Sequence, residues 1–372
     1  MASLFHPLCG STPATLWRLF SSQGGVSPQR LPQAAIAMAV ALARWPFSLA
    51  EQRQTASVLS EPMPPPIFIV GYWRSGTTHL HNLLSQSDAF GYITPLATGL
   101  PWDILGIVRR LEPLLEKALP SDRYVDNVAV TPTSPQEDAI PLATMGAPSY
   151  YHGLYFPQQL RRHFERGVFF EGCDAAAIAQ WQRYQAQLLH KVSIHQQGKP
   201  LLIKNPVYTA HVARLRQLWP EAKFIHIYRN PYVVFPSTRH FFLRLLPELA
   251  LQTYDADAML PLVEELILDS YPRMIAALQT DSATLPKNQF AEIRFEDFEK
   301  APLNTLEQVY ATLELEDFDR ARSQFERYLD GLRGYQKNRY DLDPELIQRV
   351  EEHWAALIQQ WGYEKPPAGG GA

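Results

Sequence analysis

The sequence predicts an α/β protein, a P-loop-like three-layer α/β/α arrangement with a central parallel sheet and helical insertions. Three observations lead there. Short, continuous apolar runs (66–70, 201–203, 223–228 and 290–295) alternate with helical patterns, the signature of parallel strands covered on both faces. The first run leads directly into a glycine-spaced loop, Gly71-Tyr72-Trp73-Arg74-Ser75-Gly76-Thr77-Thr78. Two later runs end in a cation, Lys204 and Arg229, at the strand ends where ligands of open α/β sheets sit.

Residues 1–60 read as a helical N-terminal extension that ends in the Pro-rich stretch 61–66. Its most apolar part, Ala34 to Ala43, is shorter than the roughly 20 residues a bilayer span needs. Apolar residues run all round it, so a buried helix is expected, and docking on a membrane surface is the weaker alternative. Strand 66–70 follows, then a helix over 77–86. A mainly helical insertion occupies about 95–197 and carries the aromatic cluster Tyr150, Tyr151, Tyr155 and Phe156. Strand 201–203 precedes a helix over 208–219, strand 223–228 a helix from about Pro231, and strand 290–295 a helix near 301–313. The main domain is thus expected over 61–365, and the Pro/Gly tail 366–372 is expected to be disordered.

Bulk properties narrow the function. The 372 residues are 46% hydrophobic and 19% charged, ordinary for a globular core. A net charge of −4 argues against a general nucleic-acid binder, so an anion site must draw on local cations. Cys9 and Cys173 form neither a disulfide framework nor a metal-ligand spacing. The first charged side chain is Arg18, with no signal-like apolar core after it. A soluble, cytoplasmic protein without a transmembrane segment is expected.

The loop decides the chemistry. A triphosphatase loop reads G-x-x-x-x-G-K-[ST], its Lys on the β- and γ-phosphates and its hydroxyl on Mg²⁺. Here Thr77 stands in place of the Lys, and the cation lies three positions earlier, at Arg74. Backbone N–H groups and a helix N-terminus can still cradle a phosphate, but not a metal-bound triphosphate. Ser237, eight positions after Arg229, can face the same anion only if the intervening helix starts near Pro231.

Arg74-Ser75-Gly76-Thr77-Thr78 resembles the 5′-phosphosulfate loop of sulfotransferases that use 3′-phosphoadenosine-5′-phosphosulfate (PAPS), and Arg229 with Ser237 resembles their 3′-phosphate motif. Arg294-Phe295-Glu296-Asp297-Phe298 is similar to a late strand end of the same superfamily. The closest likeness is to bacterial enzymes and protein-tyrosine sulfotransferases, and it covers about residues 65–340. The resemblance implies PAPS as co-substrate, no metal, and transfer of a sulfuryl group to a small-molecule, lipid or glycan hydroxyl. It implies Arg74 and Lys204 as catalytic cations, Ser75, Gly76, Thr77 and Thr78 around the 5′-phosphate, and Arg229 and Ser237 on the 3′-phosphate. Lys337 and Asn338, in a late basic loop, are candidates for the same phosphate.

The general base departs from the family patterns. Cytosolic sulfotransferases carry a His two residues after the Lys, where this chain has Pro206; protein-tyrosine enzymes carry a Glu about twenty residues after the loop Arg, where this chain reads Phe90-Gly91-Tyr92-Ile93-Thr94. The candidate is Glu137, in Ser134-Pro135-Gln136-Glu137-Asp138, a segment similar to an element of the bacterial family. Ser134-x-x-Glu137 also reads as a capping box, a competing role. Other functional classes remain: a nucleotide kinase or hydrolase, which needs a metal-holding acid at a strand end, and an inactive nucleotide-binding scaffold. Residues 150–156 would favour an apolar-bodied acceptor if they lined the site. A peripheral membrane contact stays open.

Overall fold

The four strands form one parallel sheet in the order β2-β1-β3-β4, seen in a computed structural model that describes residues 5–56, 62–110, 134–332 and 344–366. In chain order the strands are β1 (Ile67–Val70), β2 (Leu202–Lys204), β3 (Lys223–Tyr228) and β4 (Phe290–Arg294). The longer helices are α1 (Pro13–Ser22), α2 (Leu31–Thr55), α3 (Thr77–Leu84), α4 (Leu160–Val168), α5 (Ala175–His195), α6 (Pro231–Leu249), α7 (Ala256–Ser282), α8 (Pro302–Thr312), α9 (Phe318–Gly331) and α10 (Pro344–Gln360). All four expected strands form. Phe295, expected to end the fourth, instead opens the short helix Phe295–Lys300. The helix expected over 208–219 is interrupted: a 3-10 turn, Pro206–Ala210, precedes the helix Val212–Leu218.

The chain divides into two compact units: 1–64, 91–201 and 244–256 make one, and 65–90, 202–243 and 257–372 the other. The second holds the sheet. β1 pairs with β2 (Phe68 opposite Ile203) and with β3 (Phe68 opposite Phe224), and β3 pairs with β4 (Tyr228 opposite Arg294). On one face Ile67, Ile69, Ile225 and Ile293 pack on Leu80 and Leu83 of α3 and Val309 of α8. On the other, Phe68 meets the Phe224, Tyr208 and Trp219 rings, and Tyr228 stacks on Trp361 at 4.7 Å. Two buried faces explain why these strands read as unbroken apolar runs rather than alternating ones.

The first unit is helical. α1 starts at Thr12, whose hydroxyl accepts from Thr15 N–H at 3.1 Å, and α5 at Asp174, which accepts from Ala177 N–H at 2.8 Å. The inner face of α2 is tied down by buried ions. Arg44 pairs with Asp103 and donates to the carbonyls of Cys9 and Ser11. Glu51 pairs with Lys191 of α5 at 2.7 Å and accepts from Gly106 N–H. Burial lowers the Lys191 pKa, and the Glu51 carboxylate opposes that shift.

Three expectations change in this unit. The aromatic cluster is core: Tyr150, Tyr151, Tyr155 and Phe156 are all buried, so it carries no argument about an acceptor. Ser134 does not stand at the start of a helix, as a capping box requires: Gln136 bridges to Ile93 and the helix starts only at Ala139, after Asp138. The apolar stretch 34–43 belongs to a helix of 25 residues that is not buried all round. Among the described residues one helix, Pro28–Thr55, is long and apolar enough to cross a membrane. Its outer face is uncovered, which an apolar composition alone does not reveal.

Candidate active site

The loop between β1 and α3 is built on backbone conformations that restrict its residues. Gly71 approaches the Ile227 carbonyl so closely that a Cβ there would collide with it; Gly76 (φ 97°) has the Phe295 ring in the space a Cβ would take. Arg74 is a non-glycine residue at φ 67°, a left-handed conformation that costs an L-residue about 1–2 kcal/mol. Its neighbours anchor it. Tyr72 and Trp73 are buried, the Tyr72 hydroxyl lies 2.8 Å from Ser270 Oγ, and Thr238 donates to the Trp73 carbonyl at 3.2 Å. The Gly71 N–H donates to Thr209 Oγ1 at 2.8 Å.

Helix α3 starts at Thr77 without a side-chain cap on Gly76, so its first N–H groups have no intrahelical acceptor and favour an anion. Within the loop the Ser75 hydroxyl is buried, 1% exposed, and has no hydrogen-bond partner in the described residues. A buried, unmatched hydroxyl costs about 1–3 kcal/mol. A phosphate oxygen is a fitting acceptor for it, so the loop suits a phosphate-bearing co-substrate.

Lys204, Arg229 and Ser237 gather around this loop. Lys204, buried at the end of β2, donates from Nζ to Thr78 Oγ1 at 3.3 Å. Helix α6 starts at Pro231, as the Arg229–Ser237 spacing requires, and Arg74 Nε donates to Ser237 Oγ at 3.0 Å. Arg229 donates to the Arg74 carbonyl at 3.3 Å, and its guanidinium lies over the Phe295 ring, 4.3 Å from the centroid. Arg74, Lys204, Arg229 and Ser237, separated by up to 163 positions, therefore meet at one sheet edge, with three cations and no carboxylate in the contacts described above.

The strand end after β4 contributes more than its sequence signalled. Phe295 touches both Gly76 and Arg229. Glu296 accepts from the Asn230 N–H at 3.0 Å and from the Tyr363 hydroxyl at 2.7 Å, holding the turn after β3. In the sequence this motif is marked only by its likeness to a late strand end of the superfamily, with no role for Phe295 or Glu296. His226 and Glu292 pair at 2.9 Å within the sheet, His81 bonds the Leu202 carbonyl, and His79 lies against the Phe298 ring. Glu137 belongs to the helical unit and precedes the Asp138 cap. Lys337 and Asn338 lie outside the described residues.

With this geometry in place, comparison with known proteins decides the family. A family model described as "Sulfotransferase family" matches residues 65–320, which contain the loop, Lys204, Arg229, Ser237 and Phe295. The chain belongs to the sulfotransferase family. It is 30% identical over 324 residues to the omega-hydroxy-beta-dihydromenaquinone-9 sulfotransferase Stf3 of Mycobacterium bovis, covering 87% of this chain and 81% of that one; the Mycobacterium tuberculosis protein of the same name matches equally. Two solved structures share the fold: sulfotransferase STF9 from Mycobacterium avium (TM-score 0.70, 16% identity, 97% of this chain and 98% of that one) and STF1 from Mycobacterium tuberculosis (TM-score 0.64, 18% identity, 92% and 90%). The protein is a sulfotransferase, a transferase that moves a sulfuryl group from a donor to an acceptor. The strand ends that would have to carry a kinase's metal-holding acid carry Lys204 and Arg229 instead.

Proposed function

We propose that the donor is PAPS and that the acceptor is a hydroxyl on a lipid-like molecule. The observation that carries the donor assignment is the 3.0 Å bond from Arg74 to Ser237, which joins the loop to the second cationic motif. A donor with one phosphate in the loop and a second beside Arg229 and Ser237 matches adenosine carrying 5′- and 3′-phosphates. On this reading Ser75, Gly76, Thr77 and Thr78 hold the 5′-phosphate. Arg74 and Lys204 stabilise the charge that grows on the bridging oxygen as its bond to sulfur breaks, the kind of preorganised stabilisation that dominates such transfers. The new bond forms between sulfur and the acceptor oxygen, whose proton passes to Glu137, and adenosine 3′,5′-bisphosphate leaves. Lys337 and Asn338 are assigned to the 3′-phosphate, and the domain to 61–365. The acceptor assignment is supported by the relatives named for a hydroxylated dihydromenaquinone, which align over most of both chains.

Calorimetry with adenosine 3′,5′-bisphosphate, ADP and ATP–Mg²⁺ tests the donor site. Arg229→Ala removes a charge-assisted contact of about 1.5–3 kcal/mol, so bisphosphate affinity should fall about 10- to 150-fold while the weak ADP affinity hardly moves. Binding of ATP–Mg²⁺ without the bisphosphate, or an Arg229→Ala variant with unchanged bisphosphate affinity, would refute the assignment.

A further inference from the structure

Helix α2 has two unlike faces. The inner one holds Gln33, Ser48 and Glu51, all buried, together with Arg44, and these are tied into the helical unit by the Arg44–Asp103 and Glu51–Lys191 pairs. The outer one has no polar residue for five turns. From residue 31 to 50 every fully exposed position is Leu, Pro, Ala or Phe. Leu31, Leu42 and Phe47 are 54%, 57% and 60% exposed, and Ala35, Ala39 and Pro46 fill the face between them. Trp17, on the adjoining α1, is 72% exposed. Of the most apolar part of the helix, only 28% is buried.

Among the described residues of 5–56 and 91–110 the exposed charge has one sign; acids enter only at the N-terminal end of α2, where the segment bonded to Ser27 and Arg30 carries Glu248 and Asp255. Residues 5–50 contain three arginines, Arg18, Arg30 and Arg44, and no acid. Among the described residues, the elements packed most extensively on α2 are α1, the turns Pro7–Gly10 and Pro28–Arg30, and the helical turn Ile104–Val108. None of them carries an exposed acid. The acids of 5–56 and 91–110 are Glu51 and Asp103, both buried and paired. The exposed charges are cations: Arg18 on α1, Arg53 at the end of α2, and Arg109 and Arg110 just after Ile104–Val108.

We propose that α2 is a monotopic membrane-binding helix that lies in the interface of an anionic bilayer, its Leu31–Phe47 face among the acyl chains and the arginines at the headgroups. An uncharged apolar face flanked by cations is the composition of an interfacial helix. Crossing the bilayer is the wrong geometry, because it would pull Arg44 and Glu51 away from Asp103 and Lys191 and leave buried charges unpaired. A symmetric contact between two copies is disfavoured too, since it would bring the same cations together. The inference stands on this surface alone and goes beyond the assigned acceptor; vesicle binding is read without donor or acceptor, so a failed acceptor assignment leaves it untouched.

Sedimentation of the intact protein with phosphatidylglycerol-rich or pure phosphatidylcholine vesicles tests it. The protein should pellet with the anionic vesicles and far less with the neutral ones. The Leu42→Glu/Phe47→Glu variant, altered only at exposed positions, should keep its melting temperature and lose binding at least tenfold. Arg109→Glu/Arg110→Glu should weaken binding to the anionic vesicles about 30-fold or more, as a loss of roughly 1 kcal/mol per arginine implies, and leave binding to neutral lipid unchanged. Three results would overturn the proposal: no pelleting with either lipid, pelleting that survives Leu42→Glu/Phe47→Glu or an alkaline carbonate wash, or a dimer by light scattering that Phe47→Glu splits.

Discussion

Phe295 is where the sheet edge, the loop and the second cationic motif meet, so its side chain should be felt in donor binding although it carries no polar atom. Its ring fills the space beside Gly76 and lies 4.3 Å from the Arg229 guanidinium carbon. Phe295→Leu keeps an apolar body against Gly76 and removes the π face. Stability should fall by less than about 1.5 kcal/mol, the cost of a size-matched core exchange. Arg229 keeps its 3.3 Å bond to the Arg74 carbonyl, so only the cation–π contribution is lost, about 0.5–1 kcal/mol at a partly solvated site, or two- to fivefold in affinity. Phe295→Ala should unfold at a markedly lower urea concentration, because a buried Phe→Ala change costs about 3–5 kcal/mol. Calorimetric titration with adenosine 3′,5′-bisphosphate reads the effect, and the background decides it: in an Arg229→Ala protein the Phe295→Leu change should cost nothing further. An equal loss in both backgrounds, or none in either, would show that the ring does not act through Arg229.

The buried histidines and the loop backbone give two further outcomes. Burial lowers the His6 and His152 pKa values to about 4; each Nε2 bonds a carbonyl, Leu249 and Ala143, and His6 Nδ1 also accepts from Leu8 N–H. Unfolded histidine titrates near 6.5, so between that value and about 4 the unfolded chain takes up protons that the folded one refuses. Stability is therefore highest above pH 6.5 and falls as the pH drops toward 4, by up to about 3 kcal/mol per histidine; urea unfolding across this range checks it, and His6→Gln should flatten the slope. For Arg74 at φ 67°, Gly should be more stable than Ala by about 1 kcal/mol while both lose turnover at least about 100-fold. Equal urea midpoints for Arg74→Gly and Arg74→Ala would remove backbone strain from the account.

The sheet was legible because β1 and β3 are buried on both faces, and a run such as Lys223–Tyr228 leaves little room for another reading. The loop was legible because Gly71 and Gly76 are needed for their conformations and Arg74 stands out as a displaced cation. Contacts across long sequence separations were not: nothing local shows that Phe295 packs on Gly76, or that Ser237 meets Arg74. Local propensity misled at Ser134–Glu137, where a bridge to Ile93 delays the helix that a capping pattern would start. Composition misled at α2 and at Tyr150–Phe156 in opposite directions. An apolar helix has an exposed face, and an aromatic cluster with the look of a binding wall is core. In both cases the deciding fact is which neighbour covers the surface, and that is tertiary.

The displaced cation also explains why this loop contains two large aromatics. A residue at φ 67° with a long charged side chain returns to an extended or helical conformation unless its neighbours hold it. Tyr72 is edge-on to Tyr271 at 4.7 Å and Trp73 to Phe242 at 5.5 Å, so burial of two aromatic side chains fixes the loop immediately before Arg74. The Ser75 N–H closes back onto the Tyr72 carbonyl at 3.2 Å, and Arg74 Nε reaches Ser237. Apart from the Ser237 contact, the strain is therefore offset outside the proposed ligand contacts, by packing that holds the loop on either side of Arg74. A Lys after the second glycine, as in triphosphatase loops, rides on a helix and needs no such support. Moving the cation into the loop ties Arg74 to the packing of α6 and α7, and it makes Tyr72 and Trp73 as necessary to the proposed donor site as the residues assigned to the phosphates.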